Sequence, residues 1–150
     1  MSVSVSFQDK CFVPLSIHTH HFRALIDTGS TISAINDSIL RKLRLSYKDL
    51  APPDISFITG AGGSNHPVKG KIKLPIVIGG LKVQHTFYVI EDLRTSILLG
   101  TQFLEQQKAS LDWPSRKLYL HEFLTHINII KIKQGLARTK LFSVLNAIPW

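Results

Sequence analysis

The segment Asp27-Thr28-Gly29-Ser30 carries the residues of this chain that are best suited to chemistry. The apolar run Ala24-Leu25-Ile26 leads into it and predicts a buried strand that ends at the aspartate. An Asp-x-Gly sequence after a strand is more often a plain turn, but this run is too apolar for an ordinary surface turn. Because burial makes ionisation of a carboxyl group costly, the pattern predicts an aspartate with a perturbed pKa at a sheet edge, which is typical of a catalytic acid.

Two later segments combine apolar strands with glycine. The segment Ile58-Thr59-Gly60-Ala61-Gly62-Gly63-Ser64 is a glycine-rich loop, and Ile97-Leu98-Leu99-Gly100 is an apolar run that ends in glycine. Together with Asp27-Thr28-Gly29, and in this order, they resemble the motifs of the retropepsins, the aspartic proteases of retroviruses and retrotransposons. The resemblance covers roughly residues 3 to 120.

This resemblance implies both a fold and a reaction. It implies an all-β protein with the closed β-barrel of the acid protease fold, one short helix and a homodimeric assembly. It also implies an aspartic-type endopeptidase, a hydrolase that cuts extended polypeptide, and for a retroelement protein the expected substrate is its own polyprotein. The catalytic residues implied are Asp27, Thr28 and Gly29, and neither a cofactor nor a metal is expected.

The second carboxylate of such an enzyme is expected from a second copy of the chain. Two aspartates that share one proton can activate a water molecule and polarise the scissile carbonyl group. Of the seven aspartates in the sequence, only Asp27 is followed by Thr-Gly, which excludes a single-chain enzyme with two lobes. We therefore expect Asp27 of two subunits to meet on a two-fold axis, and we expect the monomer to be inactive.

The resemblance assigns roles to the residues around the aspartate. The Thr28 hydroxyl is expected to bond across the dimer, Gly29 to let backbone approach the carboxylates, and Ser30 to hydrogen-bond its own aspartate. Many retroviral members carry an acid and an arginine that pair where this chain has Thr31 and Thr101. Because both partners are missing together, no charge is stranded, and a different stabilisation of the dimer is expected.

Substrate contacts are expected from the glycine-rich loop and from three apolar positions. The loop would form a flap that closes over the substrate, although taken alone it would suit a plain surface hairpin. The apolar positions would line substrate pockets, and a simple core position is an equally good interpretation of each. The expected substrate-binding residues are Leu25, Ser30, Ile32, Gly60, Ala61, Gly62, Gly63 and Leu98.

Hydrophobic periodicity predicts mostly strands along the chain. A segment compatible with a short helix follows the catalytic region at 38–43, and the implied helix follows Gly100 at 101–108. Gly79-Gly80 predicts a tight hairpin turn, and a C-terminal hairpin is predicted around Pro114-Ser115. The predicted strands are 2–7, 12–17, 22–26, 32–35, 55–59, 68–74, 76–78, 81–90, 110–113 and 116–120.

Composition favours one folded domain and locates part of the charge. The 150 residues are 44% hydrophobic and 19% charged, enough to bury a core, and no apolar run is long enough to cross a membrane. We expect a protease domain at 1–124 and a basic, apolar tail at 125–150 that could link to a following domain. Half of the net charge of +8 lies in that tail. Nucleic-acid binding is therefore not expected, except as weak contact by the tail.

The remaining motifs carry little chemistry. His18, His20 and His21 lack a cysteine or carboxylate at ligand spacing and predict a solvated turn, not a metal site. Cys11 has no partner for an internal disulfide and fits a small buried or edge residue better than a nucleophile. Without a signal peptide at residues 2–7, the expected location is the cytoplasm or the inside of a virus-like particle, and the protein is not expected to be secreted.

Two other interpretations use the same fold. A catalytically silent or host-adopted retropepsin domain would dimerise and bind peptide without cutting it, although the intact Asp27-Thr28-Gly29 argues against decay. A protease domain of the ubiquitin-shuttle type is the other, but the sequence has no ubiquitin-like or ubiquitin-associated segment.

Overall fold

The computed structural model describes residues 9–59, 65–112, 114–121 and 125–133. Over these ranges the chain is mostly β, with two short α-helices and one 3-10 turn. The helices there are too short and too polar to span a membrane. The elements in order are β1 (Asp9–Ile17), β2 (His20–Ile26), β3 (Ala34–Asn36), α1 (Ser38–Lys42), the 3-10 turn (Tyr47–Asp49), β4 (Phe57–Thr59), β5 (Asn65–Ile78), β6 (Leu81–Ile90), β7 (Ile97–Leu99), α2 (Thr101–Gln106), β8 (Ser110–Asp112), β9 (Lys117–Leu120), β10 (Thr125–Asn128) and β11 (Ile130–Lys133).

The strands of the described ranges form two sheets. The larger has eight strands in the order β11-β1-β2-β7-β3-β6-β5-β4, and β1 also meets β5 where Ser16 pairs with Val77. The smaller has three strands in the order β10-β9-β8. Most neighbours are antiparallel, but β2 with β7 and β3 with β6 run parallel. The short β7 therefore lies between β2 and β3, in the middle of the larger sheet.

Alternating burial gives the larger sheet two apolar faces. On β2, Ala24 and Ile26 point into the main core, whereas Leu25 between them belongs to a second, smaller apolar cluster. The β5–β6 hairpin closes at Gly79 and Gly80, whose φ angles of 57° and 79° fit the tight turn that the sequence predicts. Both faces of the sheet are thus covered near the segment that follows β2.

The prediction of one short helix is wrong, because 38–42 also folds as a helix. Ile39 and Leu40 of α1 are buried while Arg41 and Lys42 are exposed, so one helical face packs against the core. The predicted strands 68–74 and 76–78 are one strand, β5. Pro75 between them is exposed and does not interrupt it.

Other predicted strands differ mainly at their ends. Strand β3 covers 34–36 and not 32–35, because the preceding residues form bends and the Thr31 carbonyl oxygen accepts from the Gln102 amide at 2.9 Å. The predicted helix 101–108 ends at Gln106, and the predicted C-terminal hairpin is present as β8 and β9. The predicted strand 2–7 lies outside the described residues.

The sheets continue beyond residue 124. Strand β10 pairs with β9, and β11 pairs with β1 from Asp9 opposite Lys133 to Phe12 opposite Ile130. Ile127 and Ile129 are buried in the main core. Residues 125–133 are therefore packed on the strands before them, while the role expected for the tail from 134 onward lies outside the described residues.

Candidate active site

The central strand β7 brings the Asp-Thr-Gly segment next to the apolar run that ends in Gly100. In the parallel pair of β2 and β7, Ala24 lies opposite Ile97 and Ile26 lies opposite Leu99. The amide of Asp27 donates to the Leu99 carbonyl oxygen at 3.0 Å, immediately beyond the last paired residues. The Asp-Thr-Gly segment thus begins at the edge where both strands end, beside Gly100.

The carboxyl group of Asp27 is buried, and its two oxygens differ. Asp27 is only 8% exposed. Its Oδ1 accepts a hydrogen bond from the Gly29 amide at 2.7 Å, whereas no described residue donates to its buried Oδ2. Burial raises the pKa of Asp27 to about 6, and the bond from Gly29 opposes this shift. A carboxyl group in this state can hold or release a proton near neutral pH.

The turn after Asp27 is fixed to the start of α2 by backbone hydrogen bonds. The Ser30 amide donates to the Asp27 carbonyl oxygen at 3.3 Å, and the Ser30 carbonyl oxygen accepts from the Thr101 amide at 2.7 Å. The Thr31 carbonyl oxygen accepts from Gln102 in the same way. Thr31 and Thr101 therefore stand in two segments that are joined through main-chain groups.

Gly100 is required by how closely these segments approach. A Cβ atom at this position would overlap the carbonyl oxygen of Ile32 and lie 2.6 Å from that of Ser30. Its φ of −93° is accessible to any residue, so the need for glycine comes from contact and not from the backbone angle. The glycine after Leu99 thereby lets the turn after Asp27 lie against the start of α2.

Ser33 and His85 support this region and were missed by the sequence analysis. The Ser33 hydroxyl accepts from the Gly100 amide at 3.2 Å and lies 2.9 Å from Nε2 of His85. His85 is 4% exposed and packs edge-on against Phe87 and Phe103. The alternation of β6 could have identified His85, because it shares the buried register of Phe87.

The predicted residues next to Asp27 occupy different environments. Thr28 and Gly29 are exposed, although the carboxyl group of Asp27, the residue just before them, is buried. Ser30 is buried, and its hydroxyl donates to the Ile32 carbonyl oxygen at 2.9 Å. The Ser30 side chain therefore does not form the expected hydrogen bond with the Asp27 carboxyl group, because the turn directs this hydroxyl to the main chain, and Ser30 bonds to Asp27 only through its backbone amide.

The predicted pocket residues are also not equivalent. Leu25 and Leu98 are paired across β2 and β7 and are buried in the smaller apolar cluster. Ile32 is only half-buried. Ile58, at the base of the predicted flap, packs against the cluster that holds Leu25 and Leu98. The flap residues Gly60, Ala61, Gly62 and Gly63 lie outside the described residues.

The histidine turn stays separate from this site. His18, His20 and His21 are exposed between and on the first two strands. Within the described ranges, no group of three or more histidine, cysteine, aspartate or glutamate side chains is arranged to hold a metal ion. Cys11 is buried in the main core, as the sequence predicts.

Solved structures with this fold include proteases of several sources. The retroviral protease-like domain of Ddi1 from Leishmania major superposes with a TM-score of 0.66 at 19% identity, covering 81% of this chain and 90% of that one. The EIAV protease, solved with the inhibitor HBY-793, gives 0.53 at 20% identity, covering 67% and 90%. A retropepsin-like aspartic protease from Rickettsia conorii gives 0.55 at 20% identity, covering 81% and 89%.

Sequence comparison assigns the chain to a family. A search of curated proteins found no match. The family model described as "gag-polyprotein putative aspartyl protease" matches residues 13–106, which is more than half of the chain and includes both the Asp-Thr-Gly segment and Gly100. The chain therefore belongs to the gag-polyprotein aspartyl protease family and is a retropepsin-like protein.

Proposed function

We propose that this protein is an aspartic endopeptidase that hydrolyses peptide bonds with an activated water molecule. The observation that carries the proposal is the Asp27 carboxyl group. It is buried at a strand end, with one oxygen held by the Gly29 amide, the other without a donor from the described residues, and a pKa raised to about 6. Such a group is poised for proton transfer.

The reaction needs a second carboxyl group, which we assign to Asp27 of another copy. Like charges a few ångströms apart do not both ionise, so the pair shares one proton and titrates as a unit. The ionised member accepts a proton from water, and the protonated member polarises the scissile carbonyl group. Exposure of Thr28 and Gly29 beside the buried carboxyl group supports a contact between copies at this surface.

The active species in this proposal is a homodimer with Asp27 on its two-fold axis. Each protomer would be a closed β-barrel, an idea supported by the contact of β1 with β5 as well as with β2. Thr28 would bond across the dimer, and Gly29 would leave space for backbone near both carboxyl groups. An isologous contact of this kind builds the site from two copies of one patch.

A polypeptide substrate would lie between the two catalytic turns and the flaps. In this proposal Gly60, Ala61, Gly62 and Gly63 close over it, and Ser30 and Ile32 contact it. Leu25 and Leu98 would form the apolar floor, which their burial beside Ile58 supports. Closure would exclude water other than the reacting molecule and strengthen the electrostatic contacts.

The family description supports a role in processing a retroelement polyprotein. We propose that residues 1–124 contain the catalytic machinery, that any contact of 125–150 with nucleic acid is weak, and that the enzyme acts in the cytoplasm or inside a virus-like particle without being secreted. A salt-dependent polyanion shift that disappears on removal of 125–150 would support the assignment of the tail.

The deciding experiment is incubation of the purified protein with a mixed peptide library between about pH 4 and 7, the range expected for a shared-proton pair. Asp27→Asn and a pepstatin-type inhibitor are the controls, and sedimentation measures the oligomeric state. Cleavage that both controls abolish supports the aspartic mechanism. A folded dimer that cuts nothing would overturn it in favour of a silent, peptide-binding module with the same fold.

A further inference from the structure

A groove lined by four cationic side chains lies beside the proposed substrate site. Lys10 of β1, Arg23 of β2, Lys42 of α1 and Arg94 of the loop before β7 line this basic groove, which has a volume of about 400 Å³. No acidic side chain is among its lining residues in the described part of the chain. Four like charges around one concavity raise the local concentration of anionic groups.

Three of these cations are not neutralised by the protein itself. Within the described ranges, Arg23, Lys42 and Arg94 form no salt bridge with a carboxylate, and all three are exposed. The Lys42 ammonium group instead lies 5.9 Å from the centre of the Phe22 ring. Their charges are therefore available to a ligand.

The loop that carries Arg94 is fixed in place. The Leu93 carbonyl oxygen accepts a hydrogen bond from the Asn36 side-chain amide, and the Ser96 carbonyl oxygen accepts from the Asn36 backbone amide at 3.0 Å. Leu93 is buried in the smaller apolar cluster. Because Asn36 holds the residues on both sides of Arg94, this guanidinium group is presented by a preorganised loop.

The basic groove is continuous with the expected floor of the substrate cleft. Phe12 lines the groove, pairs with Leu25 across β1 and β2, and packs against the apolar cluster that contains Leu25 and Leu98. On the other side, the loop with Arg94 runs directly into Ile97-Leu98. An extended polypeptide over Leu25 and Leu98 would therefore reach the cations within a few residues.

The aromatic residues favour a polypeptide over a nucleic acid. Stacking of bases needs exposed aromatic faces, but Phe22 is only 8% exposed and Phe12 packs on the apolar cluster. Apart from His21, Phe12 and Phe22 are the aromatic residues that line the groove in the described part of the chain. The groove is also near the lower end of the ~300–1,000 Å³ range of ligand clefts, which suits a short segment.

We propose that the basic groove binds an acidic stretch of the polypeptide substrate next to the scissile bond. The proposal rests on the protease function above and names a feature of its substrate: glutamate or aspartate on a flank of the cleavage site. Arg94 and Arg23 would form ion pairs with these carboxylates, and the apolar cluster would hold the side chains nearer the scissile bond.

Binding can be tested without catalysis, in the full chain with Asp27→Asn. Fluorescence anisotropy would compare a labelled peptide of alternating glutamate and alanine with its glutamine counterpart and with a single-stranded uridine oligonucleotide. Since an exposed ion pair contributes a few-fold in affinity, we expect the glutamate peptide to bind about tenfold more tightly than the glutamine peptide. This preference should shrink between about 0.05 and 0.5 M salt.

Charge reversal assigns the preference to the groove. Arg23→Glu with Arg94→Glu should abolish it, and Lys82→Glu, an exposed position outside the groove, should preserve it. If the reversed protein does not fold, Arg23→Gln with Arg94→Gln replaces it. Equal binding of the two peptides, an equal loss with Lys82→Glu, or tighter binding of the oligonucleotide through the same arginines would overturn the proposal.

A cleavage assay separates this proposal from the protease function. In a peptide that the enzyme cuts, glutamate and glutamine would be exchanged at each flanking position and kcat/KM compared. If cleavage occurs without an acidic preference anywhere, the groove proposal fails and the protease function stands. If nothing is cut but the Arg94-dependent preference in binding persists, the protease function fails and the ligand assigned to the groove stands.

Discussion

Nε2 of His85 lies 2.9 Å from the Ser33 hydroxyl, and this contact joins the buried face of β6 to the segment that follows the Asp27 turn. The Gly100 amide, which can only donate, occupies the same hydroxyl oxygen at 3.2 Å. The Ser33 hydrogen can therefore point to Nε2, which accepts it as a neutral imidazole. Burial lowers the pKa of His85 to about 4, against a hydrogen bond with Gln106, so the neutral form prevails at neutral pH.

Ser33→Ala should destabilise the protein because it leaves the Gly100 amide and Nε2 of His85 without this partner. Loss of a buried hydrogen-bonding group of this kind costs about 1–3 kcal/mol in the free energy of unfolding. Urea denaturation measures the difference, and Ser110→Ala, at an exposed position of β8, should stay within ~0.5 kcal/mol of the original protein. A midpoint for Ser33→Ala equal to that of Ser110→Ala would contradict the role of the network.

Asp27→Asn should raise the Tm at neutral pH and have little effect in acid. The folded-state pKa of about 6 exceeds the ordinary 3.8, so the folded protein binds more protons between these values. The contribution of Asp27 to the free energy of unfolding is thus fully present below about pH 4 and is lost as the pH rises through about 6. Asparagine carries no charge, so the variant should not lose this stability at neutral pH. His85 is present in both proteins, so its titration should cancel in the comparison.

Thermal melting at about pH 4 and 7.5, at one protein concentration, measures this effect. Asparagine retains a carbonyl oxygen to accept from Gly29, so packing at the turn is kept. A gain in Tm that is the same at both pH values, or larger in acid, would show that burial of the Asp27 charge is not what destabilises the folded state.

Gly100→Ala should lower the free energy of unfolding more than Gly80→Ala. The first substitution creates a steric overlap, whereas the second only places alanine at an unfavourable backbone angle. At Gly100 an added Cβ would overlap the Ile32 carbonyl oxygen, and forcing atoms into such a packed position costs about 1–3 kcal/mol or more. At Gly80 an added Cβ would have no atom of the described residues within 4 Å apart from those of its chain neighbours, but φ is +79°, which costs alanine about 1 kcal/mol. Denaturation midpoints and peptide cleavage of both variants test the order. Equal midpoints would place Gly100 in a looser turn than the one described.

Leu98→Ala and Ile32→Ala should separate core packing from substrate contact. Leu98 is fully buried, so its truncation should destabilise by about 2–5 kcal/mol. Ile32 is half-buried, so its truncation should cost less and should instead change which peptides are cut. Urea denaturation and cleavage of the same peptide set give the two readouts. If Ile32→Ala lowers stability as much as Leu98→Ala with unchanged specificity, Ile32 is a core residue.

A chain that ends at residue 124 should be less stable than one that ends at 133. The difference removes β10 and β11 and uncovers Ile127 and Ile129, which are 5% and 7% exposed. Burial of each such side chain contributes about 1.5–3 kcal/mol. Comparison of their Tm values isolates residues 125–133. Similar Tm values would support a domain that is complete at residue 124.

Much of the strand order followed from local sequence, and its errors have identifiable causes. Alternation and turn residues predict the β5–β6 hairpin, but the predicted break at Pro75 is absent. Among the described strands, β5 pairs at this residue with β6 alone, and a strand position paired on one side can tolerate a residue that lacks an N–H group. The sequence indicates no more than compatibility with a helix at 38–43, because a helix of five residues carries little periodic signal. Residues 125–133 match no expected element, and their pairing with β9 and β1 depends on strands that are distant in the chain.

The sequence by itself determined the family resemblance and the single Asp-Thr-Gly segment, and from these it predicts a second copy of the chain in the active species, because these features depend on residue types and their order. The tertiary structure alone decided which groups surround Asp27: Leu99 and Gly100 beside it, the Ser33 hydroxyl held between Gly100 and His85, and Ser30 turned to the main chain. It also gathered Lys10, Arg23, Lys42 and Arg94 around one groove. Apart from the local bond of Ser30 to Ile32, these contacts join residues far apart in sequence, and their geometry is set by strand pairing and close packing, which local propensity does not encode.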